Sequence, residues 1–265
     1  MFTSAEKGGQ NGHNDNTQSD IRHAALCSSC IFRTSPYRAA DRSSAEEHKK
    51  EGKSRAMKKG LFITVEGPDG AGKTTQLDFI RTYFMNRGID ALFTREPGGT
   101  PISEKIRAII LDKRNIEMEP MTEALLYAAS RAQHVAQVIG PALEHGKLVV
   151  CDRFVDSSIA YQGFGRDLGE SISIINSYAV GGYIPDATIL LKIDPDRGLE
   201  RIRSGMHDRM ESQDIAFHRR VYAGYLELEK KFPDRITGID AARPVEEISA
   251  EIGNRIDDIL RANDI

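Results

Sequence analysis

The chain has 265 residues, enough for one large α/β domain or for a domain with an extension. Hydrophobic residues make up 40% and support a sizeable core, whereas the formal net charge of −3 gives no reason to expect nucleic-acid or membrane binding. No apolar run approaches the roughly 18 residues of a membrane-spanning helix. Three cysteines argue against a disulfide framework and favour a reducing, cytoplasmic compartment.

Residues 1–56 differ in composition from the rest of the chain. They begin with a stretch rich in Gly, Asn, Ser and Gln, which cannot bury enough apolar surface to offset its ordering entropy. Cys27 and Cys30 form a C-x-x-C pattern, but no second pair completes a zinc site. We predict a disordered extension over 1–56 and a folded domain over 57–265. Our hypothesis is that translation begins at Met57, which N-terminal sequencing of the native protein would test.

A phosphate-binding P-loop opens the folded domain. It lies between a predicted strand, 61–66, and a predicted helix that runs from Lys73 to about Arg87. The pattern G-x-x-x-x-G-K-T is formed by Gly67, Pro68, Asp69, Gly70, Ala71, Gly72, Lys73 and Thr74. Backbone N–H groups of such a loop surround phosphate oxygens, and the helix N-terminus adds partial positive charge. We expect Lys73 to reach the β- and γ-phosphates and Thr74 to offer its hydroxyl to Mg²⁺.

The next elements are a short strand, a loop and a helix. The strand is predicted over 91–94, and the loop Arg95–Thr100 contains Pro and glycines that disfavour regular structure. This loop follows the carboxyl end of a strand, where open α/β sheets bind ligands. The helix over 102–111 carries Arg107.

A long helical stretch is predicted from Glu123 to about Glu144, with Thr122 as N-cap and an interruption at Gly140-Pro141. Tyr127 and Arg131 lie one turn apart and share a face. They either hold a planar base between them or form a surface Tyr packed on an Arg stem, and spacing alone favours the second interpretation. The predicted buried stripe consists of Leu126, Ala129, Val135, Val138, Ile139 and Leu143.

A second phosphate-site signature follows at 148–153. This apolar run ends in Asp152 and Arg153, which places a carboxylate near Mg²⁺ and a guanidinium beside a phosphate. The polar stretch 156–163 then begins another helix. Cys151, in the predicted strand, is expected to be an inert buried thiol.

The remaining predicted elements complete an alternation of strands and helices. Strands are expected over 186–193 and 235–240, and the helices are 172–180, 195–203, 214–232 and a terminal helix from 244. Arg203, His207 and Arg209 cluster around Ser204-Gly205, which indicates either a lid that supplies positive charge to a transferring phosphoryl group or a solvated charge run. The alternation predicts an α/β fold with a parallel sheet of about five strands covered by helices on both faces.

From residue 60 to about residue 260 the chain resembles the thymidylate kinase family, P-loop NTPase-type three-layer sandwiches that make dTDP from dTMP and ATP. The resemblance rests on four strings in order: EGPDGAGKTT at 66–75, TREPGGT at 94–100, AASR at 128–131, and CDR with SS and YQG within 151–163. The guanine-reading N-K-x-D motif of GTPases is absent from the sequence. The alternatives are another pyrimidine nucleotide or deoxynucleoside kinase, or a nucleotide-binding module without turnover.

The resemblance implies a role for each site residue. Asp69 would bond the sugar 3′-hydroxyl, Tyr161 would crowd the 2′ carbon, and Tyr127 would stack on thymine. The phosphate of dTMP would be held by Arg95, Arg107 and Arg153. The base edge would be read by Arg131, Ser158 and Gln162.

The resemblance also implies the catalytic and cofactor sites. The catalytic set would be Lys73, Arg95, Arg153 and a lid arginine, Arg209 first and Arg203 second. ATP would lie on the P-loop up to Thr75, with Mg²⁺ held by Thr74 and Asp152. Family members are usually homodimers, and dTMP and ATP are the small-molecule partners expected here.

Overall fold

The computed structural model describes residues 60–202 and 208–265. The predictions about residues 1–56, about a start at Met57, and about Arg203 and His207 lie outside the described residues. Within these two ranges, no helix has the length and apolar character needed to cross a membrane.

The described residues form one five-stranded parallel sheet in the order β2-β3-β1-β4-β5. This confirms the predicted fold class. The strands are β1 (Phe62–Glu66), β2 (Ala91–Arg95), β3 (Leu148–Asp152), β4 (Ala187–Lys192) and β5 (Ile236–Asp240). Because β1 and β3 are paired neighbours, with Val65 opposite Asp152, the P-loop and the Asp152-Arg153 pair leave the sheet side by side. The sheet topology therefore positions the two phosphate-site signatures together.

Helices cover the sheet on both faces. They are α1 (Lys73–Asn86), α2 (Pro101–Leu111), α3 (Pro120–His134), α4 (Gly140–Glu144), α5 (Val155–Ser158), α6 (Ser171–Ala179), α7 (Pro195–Ile202), α8 (Ile215–Lys231) and α9 (Val245–Ala262). Two π-helical segments, Val135–Ile139 and Ile159–Gly165, follow α3 and α5 directly.

Alternation along the strands divides the core between the two faces of the sheet. Ile63 packs in a cluster with Ile80 of α1 and Ile252 of α9, whereas Phe62 packs on the opposite side with Ile139 and Cys151. Successive strand side chains point to opposite faces, so one strand serves both layers. Cys151 is fully buried, and burial raises the pKa of its thiol well above the usual range, which fits an unreactive core residue.

The start and the buried face of α3 differ from the sequence prediction. The helix begins at Pro120 with Glu119 as N-cap, rather than after Thr122, because proline fits the first helical turn. Val135, Ile139 and Leu143 are buried as predicted, whereas Leu126 and Val138 are only partly buried and Ala129 is exposed. The buried face of α3 is instead largely polar: Glu123, Ala124, Ala128, Ser130, Arg131 and His134.

Candidate functional site

A cavity of about 770 Å³ lies at the carboxyl ends of β1 and β3. It brings together most of the predicted site residues: Asp69, Gly70, Ala71, Gly72, Lys73, Thr74, Thr75, Arg107, Tyr127, Arg131, Asp152, Arg153, Ser158, Tyr161 and Gln162. Gly67 and Pro68 contribute through their carbonyl groups, which accept hydrogen bonds from Lys73 Nζ at 3.0 and 2.9 Å. Of the predicted set, Gly67, Pro68, Arg95 and Arg209 do not line this cavity.

The P-loop is held tightly against α7. Gly70 has a φ of 76°, and a Cβ built there would lie 1.9 Å from the carbonyl oxygen of Gly198. Only glycine fits both the left-handed conformation and the close approach. Burial, together with the charge of Arg153, lowers the pKa of Lys73 to about 8. Anionic phosphate oxygens beside Lys73 would favour its charged form and raise this pKa.

Arg153 connects the end of β3 to the P-loop. Its φ of 64° is unusual for a residue with a side chain, and its guanidinium donates to Asp69 Oδ1 at 2.6 Å and to the Gly67 carbonyl at 2.9 Å. The hydroxyl of Tyr161 donates to Asp69 Oδ2 at 2.8 Å. Burial acts to raise the pKa of Asp69, but the charges of Arg153 and Lys73 outweigh it and lower that pKa. Asp69 is therefore a fixed, ionised acceptor.

Glu66, the last residue of β1, belongs to this site and was missed by the sequence prediction. Its carboxylate accepts from the backbone N–H of Phe154 at 2.7 Å and from the hydroxyls of Ser157 and Tyr225 at 2.6 and 2.9 Å. Burial and the negative charge of Asp156 raise the pKa of Glu66 to about 7. A carboxylate at the end of an apolar strand was the signal used for Asp152, and the same signal identifies Glu66.

Arg131 lies at the centre of a buried polar network. It is 1% exposed, so it is not the stem beneath a surface tyrosine. Its guanidinium is held by Glu96 at 2.8 Å and by the Phe154 carbonyl at 2.8 Å, and Nη1 donates to Ser158 Oγ at 2.9 Å and to Asn176. The five N–H groups of an arginine are thereby largely satisfied within the protein.

His134 extends this network from the far side of Glu96. Its Nδ1 is 3.0 Å from Glu96 Oε1, and its Nε2 is 2.7 Å from Thr94 Oγ1. Histidine and arginine therefore hold the two oxygens of one carboxylate, and the sequence prediction assigned roles to neither Glu96 nor His134.

Two predicted arginines are held by carboxylates outside the main cavity. Arg95 donates to the Pro97 carbonyl at 2.9 Å and pairs with Glu104 at 3.0 Å. Arg209 is buried and donates to the Ile110 carbonyl at 2.7 Å and to Glu123 at 2.6 Å. The resemblance implied that both residues lie near the phosphates, but nothing in the sequence around them indicated these acidic partners.

Arg107, on α2, shares a hydrogen-bond acceptor with Arg95, the last residue of β2. It lines the cavity and donates to the Pro97 carbonyl at 3.0 Å, the same oxygen that accepts from Arg95. The Pro97 carbonyl therefore joins a guanidinium that lines the cavity to one that does not.

Asp152 carries a polar atom without a partner. Its Oδ1 is buried, and across the described residues no hydrogen bond reaches this atom. Asp152 and Thr74 both line the cavity. In ranges 60–202 and 208–265, this site included, no group of three His, Cys, Asp or Glu side chains is arranged to hold a metal ion.

Comparison with known proteins assigns this architecture. A family model described as thymidylate kinase matches residues 65–252. The chain belongs to the thymidylate kinase family. Thymidylate kinase of Geobacillus sp. (strain WCH70) is 50% identical over 196 residues, which cover 72% of this chain and 93% of the relative. Thymidylate kinase of Limosilactobacillus fermentum is 50% identical over 210 residues, which cover 76% of this chain and 98% of the relative.

A solved structure agrees with the family assignment. The crystal structure of thymidylate kinase from Ehrlichia chaffeensis matches with a TM-score of 0.61 at 31% identity, and covers 75% of this chain and 99% of that chain. As a member of the thymidylate kinase family, the chain is a phosphotransferase of the nucleoside monophosphate kinase type.

Proposed function

We propose that this chain phosphorylates dTMP to dTDP with ATP, a step in dTTP synthesis. The observation that carries the proposal is one cavity that is lined both by P-loop residues from Asp69 onward and by Tyr127, Ser158 and Gln162. ATP phosphates would lie on the P-loop at Lys73, Thr74 and Thr75. The dTMP phosphate would lie near Arg107 and Arg153, and thymine would lie between Tyr127 and the polar edge formed by Ser158 and Gln162.

Transfer of the phosphoryl group is then a matter of position and charge. The acceptor oxygen of dTMP would attack the γ-phosphorus in line while the bond from that phosphorus to the bridging oxygen breaks and ADP leaves, and negative charge would spread over the equatorial oxygens. Lys73 and Arg153, which line the cavity, would stabilise this charge, and Asp69 bonds Arg153 at 2.6 Å. Asp69 and Tyr161 would orient the sugar, which fixes the direction of attack.

We also propose that Mg²⁺ is held by Thr74 and Asp152. The unpartnered, buried Asp152 Oδ1 is the observation that supports a cation at this place, because carboxylate and hydroxyl oxygens are ligands that Mg²⁺ prefers. A bound Mg²⁺ would neutralise charge on the β- and γ-phosphate oxygens.

Arg95 and Arg209 take part in this proposal only through a change of partner. Arg95 would exchange Glu104 for the dTMP phosphate, and Arg209 would exchange Glu123 for a phosphate oxygen. Because each is already matched with a carboxylate, the exchange keeps the charge of every guanidinium compensated.

The proposed assembly is a homodimer in the cytoplasm. Helices α2 and α3 lie side by side, joined by a 2.9 Å bond from Ser103 Oγ to the Ser130 carbonyl. Exposed apolar side chains on these helices support a second copy of the chain as the partner: Ile102, Ile109, Met121 and Leu125. Light scattering of the purified chain tests this proposal, and a monomeric mass at micromolar concentration contradicts it.

The function is tested by a coupled assay with ATP and four acceptors, namely dTMP, dUMP, dCMP and thymidine. We expect the highest kcat/KM with dTMP. Preference for dCMP would favour another pyrimidine nucleotide kinase, and preference for thymidine would favour a deoxynucleoside kinase. Absence of turnover with every acceptor would contradict the proposal.

A further inference from the structure

Helix α3 carries two buried charges of opposite sign on the face that meets the cavity. Glu123 is fully buried and Arg131 is 1% exposed, and Tyr127 lies one turn from each. Residues spaced by four lie above one another on a helix, so the three form a column. Each charge contacts a neutral side chain that lines the cavity: Glu123 contacts Gln162, and Arg131 contacts Ser158.

Glu123 fixes the orientation of the Gln162 amide. The amide Nε2 donates to Glu123 Oε1 at 3.0 Å, and a carboxylate accepts hydrogen bonds but has none to donate. The NH₂ group therefore faces Glu123 and the carbonyl oxygen is left for the cavity. Across the described part of the chain, no donor reaches Gln162 Oε1.

Glu123 is itself prevented from turning away. Arg166 donates to both of its oxygens, from Nε at 3.2 Å and from Nη2 at 2.9 Å, and Arg209 donates to Oε2 at 2.6 Å. With Gln162 included, each oxygen accepts two hydrogen bonds, which matches its two lone pairs. Arg166 still holds both oxygens when Arg209 changes partner, so rotation of the carboxylate would break two charged hydrogen bonds in a buried site.

Arg131 fixes the opposite polarity at Ser158. Its Nη1 donates to Ser158 Oγ at 2.9 Å, and a guanidinium has no acceptor. The hydroxyl hydrogen is left to point elsewhere, and no acceptor for it occurs among the other described side chains. Ser158 thus presents a donor to the cavity, and Gln162, one helical turn later, presents an acceptor.

We propose that Glu123 is a positioning residue that sets Gln162 as an acceptor, while Arg131 sets Ser158 as a donor, and that this pair selects 4-oxo pyrimidines. The proposal rests on the function given above. Thymine and uracil carry an acceptor at O4 and a donor at N3–H, whereas cytosine carries a donor at N4 and an acceptor at N3. With cytosine in place, the N4 donor would face the Ser158 donor and the N3 acceptor would face the Gln162 acceptor. Both pairs would leave buried polar groups without hydrogen bonds.

Glu123→Gln is the direct test. The new amide donates as well as accepts, so Gln162 is free to turn its NH₂ group toward the base. In competition experiments against dTMP, we expect the ratio of the dCMP inhibition constant to the dTMP KM to fall by roughly tenfold or more. The KM for ATP is measured separately, because Arg209 also loses its charged partner in this variant.

Arg166→Lys is the matched control. It disturbs the same cluster but leaves a charged Glu123 that still accepts from Gln162, so the ratio should remain near that of the unaltered protein. If Glu123→Gln does not fold, the charge-balanced double variant Glu123→Gln/Arg166→Met replaces it, and thermal unfolding verifies that the variant is folded.

Two results overturn the proposal. One is a folded Glu123→Gln or double variant that keeps the original ratio. The other is an Arg166→Lys variant that loses the ratio as fully as Glu123→Gln, because the role of Glu123 is then only structural. An unaltered protein that fails to use dTMP contradicts the proposed function instead, so the two failures are distinguishable.

Discussion

Arg153 Nη2 lies 2.6 Å from Asp69 Oδ1, and this ion pair joins the end of β3 to the middle of the P-loop. The two groups come from segments 84 residues apart in the chain. The same guanidinium donates to the Gly67 carbonyl, so the ion pair also fixes the start of the loop. On the proposed function, this ion pair would couple the position of the ATP phosphates to the position of the acceptor.

Lys73→Ala should lower kcat by at least roughly 100-fold, because one preorganised cation at the transferring group is lost. The fold should persist, since Lys73 bonds only carbonyl oxygens of its own loop. Steady-state kinetics with ATP and dTMP test this, with Lys147→Ala, in an exposed turn, as the control. Turnover of Lys73→Ala within tenfold of the original would exclude the assigned role.

The pH dependence of kcat/KM for ATP should show an alkaline limb with an apparent pKa of about 8. Burial, followed by the charge of Arg153, lowers the pKa of Lys73 to this value, so its positive charge is present below pH 8 and is lost above it. Bound phosphates favour the charged form, so the corresponding limb of kcat should lie at higher pH. Identical limbs in both profiles would contradict the assignment to Lys73.

Arg131→Ala should raise the KM for dTMP by about tenfold or more and should lower the free energy of unfolding by about 3–5 kcal/mol. The variant leaves Glu96 buried without its guanidinium partner. Arg131→Lys keeps a positive charge but lacks the planar guanidinium with its five N–H donors. It should therefore be more stable than Arg131→Ala and still raise the KM for dTMP. An unchanged KM for dTMP in folded Arg131→Ala would show that the base-edge assignment is wrong.

Tyr161→Phe and Tyr161→Ala should separate the ring of this residue from its hydroxyl. Phenylalanine loses the 2.8 Å bond to Asp69 but keeps the ring that we expect beside the 2′ carbon. Preference for dTMP over its ribonucleotide counterpart should survive in Tyr161→Phe and fall by about tenfold in Tyr161→Ala. If both variants prefer dTMP over the ribonucleotide to the same extent, the Tyr161 ring does not exclude the 2′-hydroxyl.

Gly198→Ala should destabilise the protein and weaken ATP binding, although alanine stabilises an ordinary helix by about 1 kcal/mol relative to glycine. A Cβ on Gly198 would lie 2.5 Å from the Asp69 carbonyl oxygen and would push the P-loop away. Gly163→Ala is the control, because its backbone is not left-handed and the nearest heavy atom would lie 3.7 Å from its Cβ. Urea unfolding and the KM for ATP measure both effects, and unchanged values in Gly198→Ala would contradict this close packing.

The parts of the site that sequence predicted are those built by adjacent residues. The P-loop is one continuous segment, and Asp152-Arg153 follows a strand directly, so strand position alone brings both to the same edge of the sheet. Strand and helix bounds agree with prediction to within one or two residues in most elements because core residues recur at regular spacing.

The polar face of α3 could not be predicted in the same way. Glu123, Arg131 and His134 are buried because Gln162, Glu96 and Thr94 supply their partners, and those partners lie about 30 to 40 residues away. The periodicity of apolar residues predicts only apolar side chains as buried. It therefore placed Ala129 in the buried stripe, although this residue is exposed. The ion pair between Arg209 and Glu123 could not be predicted for the same reason, since nothing near Arg209 in the sequence indicates Glu123.

The clamp on Asp69 has a consequence for protein engineering. The Asp69 carboxylate accepts hydrogen bonds from Arg153 and Tyr161, which lie in a different part of the sequence. A graft that moved only residues 67–74 into a foreign scaffold would keep Asp69 but lose the two side chains that orient its carboxylate. Transplanting acceptor recognition would require the segment from Asp152 to Gln162 to travel with the loop.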